Sequence, residues 1–167
     1  TISLADTTVC DGGSVVLKPT VNPSGGTYNW STGATTPTIT VSPTAATNYT
    51  VDYNNNGCIS SVTNTVNVNP AISANLTGGG NICGNGTIDL SIDLTGVGPW
   101  TVEYNDGTAT QTIANITSSP YILTTNKAGN YSLVSVKNKK CTGTVSGSAT
   151  VTKTSEIIVT NVTATCD

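Results

Sequence analysis

Apolar residues alternate with Thr, Ser and Asn along almost the whole chain, and no stretch repeats them at the 3.6-residue spacing of a helix. In the first half this alternation predicts strands over residues 2–9, 14–21, 27–31, 38–42, 48–53 and 58–68, with turns at Gly12-Gly13 and residues 23–26, 32–34, 43–46 and 54–57. The second half repeats the plan over residues 72–76, 87–94, 100–105, 108–116, 121–125, 130–136 and 142–152. Short strands at this spacing, separated by Gly-rich turns, predict a β-sandwich rather than any helical fold.

Four aromatic positions sharpen that expectation. Trp30 follows Cys10 by 20 residues and Trp100 follows Cys83 by 17. Each falls in the third predicted strand of its half, where immunoglobulin-like sandwiches bury a core tryptophan. Ala128-Gly129-Asn130-Tyr131 and the matching Ala46-Thr47-Asn48-Tyr49 resemble the tyrosine corner that opens the sixth strand of that fold. Trp30, Trp100, Tyr49 and Tyr131 are therefore predicted core aromatics. The alternative is that Trp30, Trp100 or one of Tyr28, Tyr53 and Tyr104 is exposed as a platform on which a sugar ring stacks.

The cysteines add a repeat. Cys83 to Cys166 and Cys58 to Cys141 are both separations of 83 residues, and Ile158, Thr163, Cys166 and Asp167 follow Ile2, Thr7, Cys10 and Asp11 at a constant offset of 156. This divides the chain into a module over 1–70, a module over 71–153 and the first strand of a third over 154–167. The expected architecture is all-β: tandem immunoglobulin-like sandwiches, each pinned by one disulfide, Cys10–Cys58 in the first and Cys83–Cys141 in the second. Cys166 is left unpaired, its partner expected beyond the sequence, with a reactive thiol or an intermolecular bond as alternatives. The pairing requires the turn after the first strand and the turn before the last to lie at one end of each module, within disulfide reach. In the second module it further requires Ser118-Ser119-Pro120 to be a kink at which a strand changes sheet. At the junction Val62, Val66, Val68, Pro70, Ile72, Ala74 and Leu76 keep one even-numbered apolar face, which predicts a stiff, extended joint.

Charge and composition narrow the function. The chain has no His, a net charge of −3 and only 9% charged residues, so it lacks the usual general base and imidazole metal ligand. Asp89 and Asp93 share one face of one strand and form no cleft of the glycosidase kind. They are, with Asp106, the candidates for a surface calcium site, but no spaced Asp motif supports one. No catalytic, cofactor or metal residue is predicted. The basic cluster Lys137, Lys139 and Lys140 is confined to one turn and Arg is absent, which argues against nucleic acid as a partner. No apolar run is long enough to span a membrane. Asn-x-Ser/Thr sequons occur at Asn29, Asn48, Asn75, Asn85, Asn115, Asn130 and Asn161, in a chain whose Asn and Thr content generates them by chance. Small modules with paired cysteines point to an oxidising, extracellular setting.

The stretch WSTGATTPTITV from Trp30 to Val41, followed by Asn48-Tyr49-Thr50-Val51 and Cys58, resembles the immunoglobulin-like repeats of large secreted surface proteins of Bacteroidota. Gly98-Pro99-Trp100-Thr101-Val102 with Tyr104, then Cys141-Thr142-Gly143 and Gly147-Ser148-Ala149-Thr150-Val151, is similar to repeats of gliding-motility adhesins of Flavobacterium type. The resemblance implies export by the type IX secretion system, display at the cell surface and a role in adhesion or gliding. It also makes Asp6-Thr7-Thr8 a match to the short O-glycosylation pattern of that group. The expected function is that of stalk or spacer repeats in a long adhesin or filament. Its partners would be adjacent repeats of the same polypeptide, surface glycans or other cells. A glycan-binding module and a self-assembling filament subunit are the alternatives.

Overall fold

The computed structural model describes residues 1–155. In that span it holds sixteen strands and no helix, gathered into two compact units, one of Thr1–Ala71 and a second starting at Ile72. The truncated third module expected from 154 onward, with Cys166, falls outside the described residues but for its first two positions.

The first unit contains β1 (Ile2–Ser3), β2 (Thr7–Cys10), β3 (Val15–Leu17), β4 (Thr20–Val21), β5 (Thr27–Trp30), β6 (Ile39–Val41), β7 (Thr47–Asn55) and β8 (Cys58–Asn69). One sheet has the order β2-β8-β7-β5, while β3 pairs with β6 and β1 with β4. Alternation decides what is buried: Ile39 and Val41 face inward and Thr40 outward. Val9, Trp30, Val51 and Val66 meet Leu17, Ile39 and Val41 in one cluster. The long hairpin from β7 to β8 turns on Asn56 and Gly57, both with positive φ (52° and 86°), between the paired residues Asn55 and Cys58. Asn-Gly is the pair that adopts such a turn at least cost.

The second unit contains β9 (Ser73–Gly78), β10 (Gly80–Cys83), β11 (Ile88–Thr95), β12 (Trp100–Asn105), β13 (Thr110–Ile116), β14 (Tyr121–Thr125), β15 (Gly129–Lys137) and β16 (Thr144–Thr154). One layer runs β13-β12-β15-β16 with β10 beside β16, and the other runs β14-β11-β9. On β11, Leu90, Ile92 and Leu94 are buried while Asp89 and Asp93 are exposed. The chain changes layer at five of its connections. Between β13 and β14 it crosses at Ser118-Ser119-Pro120, where the Ser119 hydroxyl accepts the Leu94 N–H at 2.8 Å. From β9 to β10 it passes through Gly78-Gly79-Gly80, all at positive φ, and a Cβ on Gly79 would stand 2.6 Å from the Thr150 carbonyl oxygen. Strand β16 pairs with β9 over Thr144–Gly147 and with β10 over Val151–Thr154.

The turn geometry overturns both expected disulfides. In each unit the strand before the first Gly-rich turn runs parallel to the last strand, which puts the two turns at opposite ends. Cys10 stands opposite Asn69 at the end of β8, whereas Cys58 begins that strand. Eleven residues of strand at ~3.3 Å each separate the two by roughly 35 Å, against a limit of about 7 Å between bridged Cα atoms. Likewise Cys83 stands opposite Thr154 at the end of β16, while Cys141 lies three residues before that strand begins, roughly 30 Å or more away. Cys58 and Cys83 are accordingly free thiols, both exposed, and Cys10 and Cys141 are disulfide-bonded. Neither Cys10–Cys58 nor Cys83–Cys141 forms, so the units are not each pinned by an internal bridge.

Candidate functional site

Both tryptophans are committed to the interior. Trp30 is 2% exposed and its indole N–H donates to the Thr36 carbonyl at 2.9 Å; Trp100 is 7% exposed and donates to the Thr95 carbonyl at 3.1 Å. Neither offers a ring face to a sugar. Tyr131 is buried at the start of β15, and its hydroxyl donates to the Lys127 carbonyl at 2.9 Å, four residues upstream, with the Thr125 hydroxyl at 2.8 Å. That is a tyrosine corner. Tyr49 is only half-buried against the first unit's core and forms no such bond. Tyr53 takes the polar role there instead: its hydroxyl donates to the Pro23 carbonyl at 2.9 Å and accepts the Gly26 N–H at 2.7 Å. Tyr28 lies 5.0 Å from its ring.

The acidic candidates are equally engaged. Asp106 is buried in the turn after β12, where one carboxylate oxygen accepts the N–H groups of Thr108 and Ala109, both at 2.9 Å, and the Thr108 hydroxyl at 2.7 Å. The other accepts the Lys127 ammonium at 2.8 Å. The Lys127 bond foremost, then those from Thr108 and Ala109, hold the Asp106 carboxyl well below the usual carboxylate range. Burial, with Asp106 nearby, pushes the Tyr104 hydroxyl up. Asp89 accepts the Thr124 hydroxyl on the solvent face of β11. Elsewhere cross-strand pairs such as Thr50 with Thr63 and Thr65 with Asn48, both at 2.8 Å, join side chains on exposed faces. The Thr- and Asn-rich composition thus knits the sheets from outside.

One polar residue escaped the sequence reading because it sits on the apolar face of β8. Asn64, between Val62 and Val66, is fully buried; its amide donates to the Ala5 carbonyl and to Asp6 Oδ1, while its own Oδ1 has no partner among the described residues. Asp6 also accepts the Thr65 N–H at 3.0 Å. The segment between β1 and β2 is thereby fastened to β8.

The cysteines mark the ends of each unit. Cys10 and Cys83 occupy the same turn: in each, the next residue's N–H donates at 3.0 Å to the final residue of the last strand (Asp11 to Asn69, Gly84 to Thr154). In each, the N–H three residues on then returns to the cysteine carbonyl, Gly13 to Cys10 at 2.8 Å and Gly86 to Cys83 at 3.0 Å. Cys58 and Cys141 both lie where the last hairpin turns. The turn at Cys141 is organised by Asn138, whose side-chain oxygen accepts the Lys140 and Cys141 N–H groups at 2.9 and 2.8 Å. One member of each pair of equivalent positions is bonded and the other is free.

Residues 69–151 match the family of Ig-like domains of nucleoporin POM152. No match is found among curated proteins. Of solved structures, the I-band fragment I67-I69 from titin superposes with a TM-score of 0.61 at 13% identity, over 92% of this chain and 64% of that one. Extracellular domains 3-5 of Drosophila OTK superpose at 0.57 and 13% identity, over 92% and 62%. The chain thus spans less than two thirds of the length of these two structures. At these identities the likeness shows the fold, an immunoglobulin-like β-sandwich.

Proposed function

We propose that this chain is a run of in-line spacer modules in a long extracellular stalk. The observation that carries it is the course of the chain through each unit. In the first, β2 is parallel to β8; in the second, β9 and β10 are both parallel to β16. Each unit is therefore entered at one end and left at the other, as a bead is threaded, so modules joined by short linkers extend rather than stack side by side. The disulfide-bonded state of Cys10 and Cys141 fits an oxidising compartment, and the committed hydrogen bonds of Asp106, Tyr131 and both tryptophans fit a structural module rather than a site of chemistry. The sequence resemblance to Bacteroidota surface repeats supports placing the stalk in an adhesin of that kind, displayed through type IX secretion. Small-angle scattering of tandem fusions with increasing numbers of units tests the reading. Each added unit should lengthen the particle by roughly 40 Å, the span of the twelve-residue β8. A maximum dimension that barely grows with unit number refutes it.

A further inference from the structure

We propose that Cys58 and Cys83 are the open halves of disulfides to further modules, Cys83 bonding the hairpin cysteine of a module that follows the second unit and Cys58 the end-turn cysteine of one that precedes the first. The inference rests on the stalk reading and on the equivalence of positions. Cys83 repeats the turn of Cys10 hydrogen bond for hydrogen bond, and Cys10 is bonded. Cys58 repeats the hairpin position of Cys141, which is bonded too. Each kind of position is thus built to hold a disulfide. Neither can be satisfied by the other described cysteine of its own unit, because the parallel end strands hold the two roughly 30 Å or more apart. Both remaining thiols are exposed, at opposite ends of their respective units. Cys83 lies at the exit end and Cys58 at the entry end, the ends that meet a following and a preceding module. Asn81 and Thr154 direct their side chains at the Cys83 sulfur, at 3.9 and 3.6 Å.

A second copy of the chain offers the matching thiol, so the complement can be supplied in solution. The Cys83 thiolate attacks oxidised glutathione, forming a mixed disulfide and releasing one glutathione thiolate. The Cys58 thiolate of another copy then attacks the Cys83 sulfur and expels the second. Two protein thiols are oxidised, one glutathione disulfide is reduced to two thiols, and the two protons the protein thiols lose are taken up by the two glutathione thiolates.

The test uses the Cys166→Ser chain, as a mixture of isotope-labelled and unlabelled copies, in a buffer of reduced and oxidised glutathione, read by non-reducing electrophoresis and disulfide peptide mapping. Head-to-tail joining predicts a ladder of oligomers whose links are Cys58–Cys83 peptides, half of them isotopically mixed. These links should outnumber Cys58–Cys58 and Cys83–Cys83 together by about fivefold or more, where indiscriminate pairing gives parity. Cys58→Ser and Cys83→Ser should each abolish the ladder, leaving Cys10 and Cys141 bonded as before. Parity among the links, symmetric dimers in the single variants, or thiols that end only as glutathione adducts overturn the proposal. Scattering by covalently fused units does not depend on these thiols, so a stalk without inter-module bridges would be told apart from no stalk at all.

Discussion

Removing one oxygen from Tyr131 tests whether the second unit depends on its corner. The hydroxyl of this 2%-exposed side chain bonds the Lys127 carbonyl at 2.9 Å and the Thr125 hydroxyl at 2.8 Å. Tyr131→Phe keeps the ring, its contacts and its stacking on Tyr104, 6.3 Å away. The loss is then confined to two hydrogen bonds worth about 1 kcal/mol each, with the part-buried Lys127 carbonyl left short of a partner, so about 2 kcal/mol in all. Urea denaturation followed by Trp100 fluorescence in a Trp30→Phe background reads the second unit alone. With an m-value of about 1 kcal/mol/M, at the low end for small domains, the midpoint should fall by about 2 M. The paired control is Tyr49→Phe, followed by Trp30 in a Trp100→Phe background. Its hydroxyl has no hydrogen bond among the described residues, and the midpoint should move by less than about 0.5 M. A Tyr131→Phe shift as small as that of the control would refute the reasoning.

Two further outcomes follow from buried polar groups. Asp106 has its carboxyl held below the usual range in the folded state, so the stability it contributes is fully present above the unfolded value of about 3.9 and is lost as pH falls through the folded one. Urea midpoints of the second unit should therefore drop on acidification below about pH 4, and Asp106→Asn should flatten that part of the profile; an unchanged slope contradicts it. Asn64→Ala should destabilise the first unit by about 1–3 kcal/mol, because the Ala5 carbonyl loses its donor. Amide exchange should also quicken at Asp6 and Thr7 before the rest of the unit; uniform protection there would count against the fastening role.

The strands were legible because nearly every one obeys strict alternation, as Leu90, Ile92 and Leu94 do against Asp89, Ser91 and Asp93. What was hidden was β10, a four-residue strand behind three glycines, and the division of the first predicted strand into β1 and β2. Those two features set which end each turn occupies, and without them strand parity misplaces Cys10 and Cys83. The 83 residues from Cys58 to Cys141 join equivalent hairpin positions, a signal read for the wrong relation. A constant offset identifies equivalent positions, and equivalence says nothing of which cysteine meets which. The two tyrosine motifs show the same limit from the other side. Ala-x-Asn-Tyr occurs twice, but only Tyr131 finds a carbonyl within reach, while in the first unit the polar work passes to Tyr53, which no motif marks. Asn64 was invisible for a simpler reason: a lone amide in a row of valines reads as an interruption until the Ala5 carbonyl is seen to face it.

The parallel end strands also decide how a unit meets a pulling force. Drawn at its two termini, the first unit loads the β2–β8 ladder lengthwise, so its four register positions from Thr7↔Val66 to Cys10↔Asn69 must slide together rather than peel apart one by one. The second unit sets two such ladders against β16, four positions with β9 and four with β10. Tension therefore falls on hydrogen bonds arranged to resist it in parallel, and the second unit, with twice the ladder, should be the later of the two to yield.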